Sequence, residues 1–331
     1  MSSSEVRKPG YARRFVWLSL FIVVLFGGYS AGWFYIADRV KKVAGTSVAS
    51  LNEGGRAAEC TNLDVRGFPF RLGVFCDSVA FEDPGRNVRV TAGSLRSAAQ
   101  VYQPWHVITE LDGPLRTAAP GLPPLWLDWD KLRASLRIAR PVPERLSIEG
   151  EGLSAQTDPE DGDPLSLFSA ERGEAHLRPN GADLDGAVSF VNLQIDPAAV
   201  AGRTLPVLSG SGDATLKDGV RLVETRVRSL RGQSGTIRNL DLSTGPETGV
   251  ALSGPFSVDA DGLIDANLTV TVRNPRGVSS ALANAFPEAR RQITAGFAGL
   301  AALGPAPSLP LRITKGRAVL GFLPLGEIPP L

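Results

Sequence analysis

Along much of the chain, apolar and polar residues alternate with a period of two, the pattern of strands with one buried and one wet face. Ile264, Ala266, Leu268, Val270 and Val272 alternate with Asp265, Asn267, Thr269, Thr271 and Arg273. Val250, Leu252, Phe256, Val258 and Ala260 repeat the pattern against Ser253, Ser257 and Asp259. The Asp261-Gly262 pair between these runs predicts a tight hairpin turn and antiparallel neighbours. Leu132, Ala134, Leu136 and Ile138, and further upstream Val88, Val90 and Ala92, predict two more such strands.

The apolar parity switches in two places. Leu125, Leu127 and Trp129 occupy odd positions before the even run from Leu132, and Val188 and Phe190 yield to Val191, Leu193 and Ile195. A flat strand cannot do this without exposing one half, so bulges or short turns near Asp130 and Phe190 are expected to bend the sheet. The fold expected is mainly β, a β-rich α+β chain with a large curved antiparallel sheet.

Two segments break the alternation. Residues 15–37 carry no charge, which is long enough for a helix to cross a hydrocarbon core of about 30 Å. Trp17 near one end and Trp33 and Tyr35 near the other fall where amphipathic rings prefer the headgroup region. Arg7, Lys8, Arg13 and Arg14 favour keeping residues 1–14 in the cytoplasm; residues 38–55 then form a juxtamembrane helix or linker, and residues 56–331 an exported β-rich domain. A cleaved signal peptide, with Ser30-Ala31-Gly32 as the small-residue site, is the alternative. Late in the chain, residues 278–303 predict an amphipathic helix that Pro287 would kink or divide.

Composition adds exclusions. The chain has 36 Gly and 25 Pro, which suits many strands joined by tight turns. Its net charge is +1, without the electrostatic footprint of a nucleic-acid binder, so no nucleic-acid partner is expected. Two His and two Cys leave poor material for a zinc site, so no metal and no cofactor are expected. Both cysteines, Cys60 and Cys76, lie in the part expected to be exported. In an oxidising compartment they read as one disulfide, worth about 3 kcal/mol if unstrained, with two buried thiols as the alternative.

Candidate chemistry is sparse, and no catalytic residue is assigned. No nucleophile elbow or Walker loop occurs, and Gly210-Ser211-Gly212 reads as a turn. Residues 158–164 (DPEDGDP) read as an exposed acidic loop without calcium-loop spacing. Asp128 and Asp130, flanked by Trp126 and Trp129, have the spacing for a carboxylate pair in a glycan-acting hydrolase, and equally suit a turn at the parity switch. The most individual motif is Gly67-Phe68-Pro69-Phe70-Arg71, either a strand-entry turn stapled by its two rings or a site where Arg71 meets a lipid phosphate or an acidic partner.

The N-terminal span, GFPFR at 67–71 between Cys60 and Cys76, and the closing GFLPLGEIPPL at 321–331 together resemble the domain-of-unknown-function family 2125 of alphaproteobacterial envelope proteins. More distantly, the layout looks like the AsmA-like envelope proteins, which are implicated in moving phospholipid between membranes through an apolar groove. The resemblance implies a single-pass protein of the bacterial inner membrane with its C-terminal domain in the periplasm. With so little catalytic material, a non-enzymatic role is expected, in which an apolar groove of the curved sheet holds the acyl chains of phospholipid or an apolar segment of an envelope protein. Leu252, Phe256, Val258, Ile264, Leu268 and Val270 are the expected groove residues. A scaffold that binds other envelope proteins through a strand edge is the second expectation.

Overall fold

The computed structural model describes residues 11–159, 162–225 and 229–331. Helix α1 (Tyr11–Leu51) runs for 41 residues, so the expected span and the segment after it form one continuous helix, closed by a 3-10 turn at Glu53–Gly55. Among the described residues it is the one helix long and apolar enough to cross a membrane, by length and composition.

After α1 the chain builds one open antiparallel sheet of twenty strands. The first ten are the halves of five long strands: β1 (Ala57–Thr61) with β2 (Asp64–Arg66), β3 (Arg71–Cys76) with β4 (Ser78–Asp83), β5 (Val88–Ala92) with β6 (Leu95–Gln100), β7 (Gln103–Leu111) with β8 (Leu115–Ala119), and β9 (Leu122–Asp128) with β10 (Lys131–Arg137). The halves pair as two ladders, β1–β4–β5–β8–β9 on one side of the breaks and β2–β3–β6–β7–β10 on the other. Both ladders rejoin at β11 (Arg145–Thr157), whose residues 145–151 pair with β10 and 154–157 with β9. Then β12 (Ser166–Asn180), β13 (Asp183–Ile195), β14 (Leu208–Leu216), β15 (Ser234–Gly245), β16 (Thr248–Val258), β17 (Ile264–Arg273), β18 (Ser308–Thr314), β19 (Arg317–Leu320) and β20 (Leu323–Glu327) each add to the strand before. Helix α2 (Gly219–Thr225) joins β14 to β15. The late helical segment is two helices, α3 (Pro275–Ala285) and α4 (Arg290–Ala302), divided by a short 3-10 turn that begins at Pro287. Of the acidic loop at 158–164, Glu160 and Asp161 lie outside the described residues.

The breaks line up as a crease across the sheet. Asn62 has a left-handed backbone (φ 54°) between β1 and β2, and its side chain donates to Asp77 between β3 and β4 (2.7 Å). Gly93 and Ser94 exchange backbone hydrogen bonds with Asp112 (3.1 and 2.9 Å), joining the next two breaks. The Asp130 amide donates to the Glu151 carbonyl (2.9 Å), next to Gly152 at φ 61°. In β12 and β13 the crease continues as Glu171 and Asn192, paired at 2.6 Å, where the register of β13 on β14 slips after Phe190. Both expected bends therefore fall on one line, which also runs through four strand pairs upstream. Gly152 is needed there because any Cβ would sit at positive φ and strike the Asp130 carboxylate.

Two devices pin the N-terminal edge. Cys60 and Cys76 form the expected disulfide, with Cα atoms 5.2 Å apart, beside the first breaks. The second half of α1 lies along β2 and covers an edge whose backbone would otherwise be open to another strand. Its Trp33 and Ala37 are buried, the Trp33 indole donates to the Arg71 carbonyl (3.0 Å), and Lys41 pairs with Asp64 (3.3 Å).

One sheet face carries a ladder of ion pairs. Arg96–Asp112 (2.6 Å), Arg133–Glu110 (2.8 Å), Arg178–Asp185 (3.2 Å), Arg238–Asp185 (2.9 Å) and Arg273–Asp241 all project from it. Asp185 is the buried member, and the Thr215 hydroxyl, followed by Arg238 and Arg178, lowers its pKa to about 2.

Gly152→Ala is expected to destabilise the protein by about 1–3 kcal/mol in denaturant titration. Gly181→Ala, at a turn with open space around it, carries only the backbone part of that loss. Because the Asp185 carboxyl titrates lower in the folded than in the unfolded chain, its stabilisation is complete above pH about 4 and is lost as pH falls toward 2. The urea midpoint should therefore fall across that interval more steeply in the native chain than in Asp185→Asn, and equal slopes would refute the assignment.

Candidate functional site

Directly opposed residues of an antiparallel sheet point to the same side, so the registers trace which side chains share a face. One row crosses Ala134, Ile148, Ala175, Val188, Gly212, Leu240, Leu252 and Val270. The row beside it crosses Leu132, Gly150, Gly173, Phe190, Gly210, Leu242 and Val250. On the other flank run Leu136, Leu146, Leu177, Gly186, Ala214 and Ile237. The three rows form one apolar face, opposite the ion pairs.

That face is closed at one end and open in the middle. At the C-terminal end Ala266, Leu268, Ile313 and Ala318 form a buried cluster, with Leu252, Phe256, Ile264 and Ile328 packed against it. Val258 is buried and Val270 half-buried. Four of the six residues expected to line a groove thus belong to this packed cluster or its border, a fifth is buried beyond it, and Val270 and Leu252 mark where the open region begins. In β11–β15 the same face lies bare: Val188 is 54% and Leu240 46% exposed, and Ile148, Leu177 and Leu242 are exposed too. There a depression of about 450 Å³ is lined by Leu146, Ile148, Leu177, Val188, Ile237 and Leu240. This is within the range of small-molecule sites, about 300–1,000 Å³.

The depression exists because small residues stand opposite large ones. Gly186, Gly212 and Ala214 leave the space that Leu177, Val188 and Leu240 border. Gly210-Ser211-Gly212, expected as a turn, lies within β14, where a Cβ at Gly210 would collide with the Phe190 ring. Residues lining the open region were missed because their strands read as Gly-rich and weakly apolar. Their signal was the cross-strand pairing of glycines with large side chains.

The polar candidates are held by the scaffold. Asp128 accepts from the Trp129 amide (3.0 Å) and lies over Gly113, while Asp130 lies over Gly152, so both carboxylates sit on the crease. The Trp129 indole donates to the Leu111 carbonyl (2.7 Å). His106 meets Ser135 (2.9 Å) and His176 meets Glu174 (3.4 Å). Among the described residues no three of His, Cys, Asp and Glu come together as a metal-binding set.

The Gly67–Arg71 motif forms the turn between β2 and β3 and docks on α1. Phe68 packs edge-on against Trp33 (centroids 5.5 Å apart) and stacks on Phe34 (5.5 Å), and the Tyr29 hydroxyl donates to the Pro69 carbonyl. Gly67 (φ 122°) leaves room for the backbone of Arg71, whose amide closes the turn onto the Gly67 carbonyl (2.8 Å). The motif is therefore the clasp between helix and sheet.

No curated protein matches the chain. A family model described as an uncharacterised protein conserved in bacteria matches residues 33–329, from the Trp33 that meets the clasp to just past the last strand, and the chain belongs to that family, DUF2125.

Proposed function

We propose that this chain is a non-enzymatic, single-pass membrane protein of the bacterial envelope, with its sheet on the periplasmic side. On this reading the bare part of its apolar face holds the acyl chains of phospholipid. The observation that carries the reading is the exposed stretch of the three rows over β11–β15. A soluble protein ordinarily does not leave so continuous an apolar surface to water unless something occupies it. The apolar length of α1 supports anchoring. The non-enzymatic part rests on the commitment of Asp128 and Asp130 to the crease.

A second reading, an assembly factor that pairs with other envelope proteins, is favoured by the last edge of the sheet. β20 is exposed along its whole length and is preceded by Phe322 at 98% exposure.

The test places a photocrosslinking amino acid at Val188, and at Glu149 on the charged face, in the full chain in cells grown with radioactive phosphate. A phospholipid adduct at Val188 and not at Glu149 is the expected result. Absence of the adduct at Val188, or equal labelling at both positions, would sink the lipid reading. A discrete protein adduct from the same probe at Phe322 would favour the second one.

A further inference from the structure

The clasp fixes where the end of the sheet stands relative to the apolar helix. Along α1, Tyr29 lies about 21 Å and Phe34 about 28 Å from Phe15, inside the span of about 30 Å that a hydrocarbon core occupies. Tyr29 touches Pro69 and Phe34 stacks on Phe68. The β2–β3 turn is thus held at a level of α1 that is still apolar.

Neighbouring hairpin tips stand at the same end. The Val101 amide donates to the Phe70 carbonyl (3.0 Å), and the Ile138 amide to the Trp105 carbonyl (2.7 Å). These tips present rings to the outside: Phe70 is 68%, Tyr102 71% and Trp105 68% exposed. Arg71 and Arg140 are exposed at the same end. Tyr and Trp beside basic side chains are the composition of a membrane interface, where rings sit at headgroup level and guanidinium groups meet phosphate.

Trp105 and Ile138 also continue two strands of the apolar face, since they share parity with Val107 on β7 and Leu136 on β10, which are paired across the strands. The apolar face therefore ends at this rim. We propose that the hairpin tips at Phe70, Tyr102 and Trp105 insert into the interface of the bilayer that α1 crosses, so that the apolar face opens directly onto that leaflet. The occupant of the rim is phospholipid, and the inference rests on the anchored reading above.

The chain's two cysteines are joined to each other, so single cysteines can be added as labelling sites. Phe70→Cys, Tyr102→Cys and, beyond the crease at the opposite end of the sheet, Arg86→Cys are each made in the full chain and labelled with bimane. Each is reconstituted into phosphatidylethanolamine–phosphatidylglycerol vesicles containing a phospholipid with a nitroxide near the headgroup end of its acyl chain. Labels at 70 and 102 should be quenched about twofold relative to nitroxide-free vesicles, with no change at 86. If the protein floats with the vesicles but labels at 70 and 102 are no more quenched than at 86, the rim stands clear of the bilayer. The proposal then fails while anchoring survives. If the protein does not float, anchoring and the proposal fail together. Unchanged protease resistance of the labelled variants establishes that the fold is intact, and the two rim positions check each other.

Discussion

Side chains on a strand alternate between two faces, and a sheet that bends must either change parity at the bend or turn half its apolar surface to water. The remainder of the architecture follows from how the chain meets that constraint. At the crease most of the long strands change parity through a left-handed Asn, a Gly or a short acidic linker, whereas β7–β8 keeps its parity across three residues, from Leu111 to Leu115. Both arms therefore keep their apolar side chains on the same side. The backbone groups released by the breaks are taken up by neighbouring breaks, as between Gly93 and Asp112, or by side chains, as between Asn192 and Ser209. An isolated kink would leave orphan donors, whereas a line of kinks satisfies them collectively.

The two faces also divide the work of stability. The charged face holds its strands with paired arginines and carboxylates, most of them partly solvated and individually weak. Asp185 differs because three donors converge on a buried carboxylate, and removing any one of them leaves part of its hydrogen-bonding capacity unmet there. The apolar face contributes packing mainly at its C-terminal end, where Ile328 folds back onto the cluster around Leu268. Its centre is left thinly filled by the glycines of β12–β14.

Much of this was legible in the sequence, and the exceptions have physical reasons. The alternation at 250–273 and the Asp261-Gly262 turn mark β16 and β17 because long runs with one wet face leave a strong period-two signal. The parity switches at Asp130 and Phe190 locate two points of the crease. The breaks at Asn62, Asp77 and Gly93 were invisible because the half strands around them are too short to establish a parity before it changes, and the break at Asp112 because Leu111 and Leu115 share a parity across it. The residues expected to line a groove lie mostly at the packed end of the apolar face for a related reason. Clean alternation is strongest where large apolar residues fill a core, and weakest where glycine keeps a surface open. The GFPFR motif stood out by its individuality, but its partner, Trp33 and Phe34 on α1, lay in a segment whose composition spoke only of membrane.

The order of the strands has a further consequence. Apart from the helical pair between β17 and β18, each long strand lies beside the one that immediately precedes it in the chain, so nearly all pairings are sequence-local for a protein so rich in β structure. Low contact order relieves the slow search for distant partners that delays most large sheets. With α1 already seated against the first edge, the chain can assemble vectorially as it is synthesised, each hairpin templated by its predecessor. The same logic lets the number of hairpins grow or shrink by insertion without rearranging those on either side, so that length, rather than topology, is the variable this architecture leaves free.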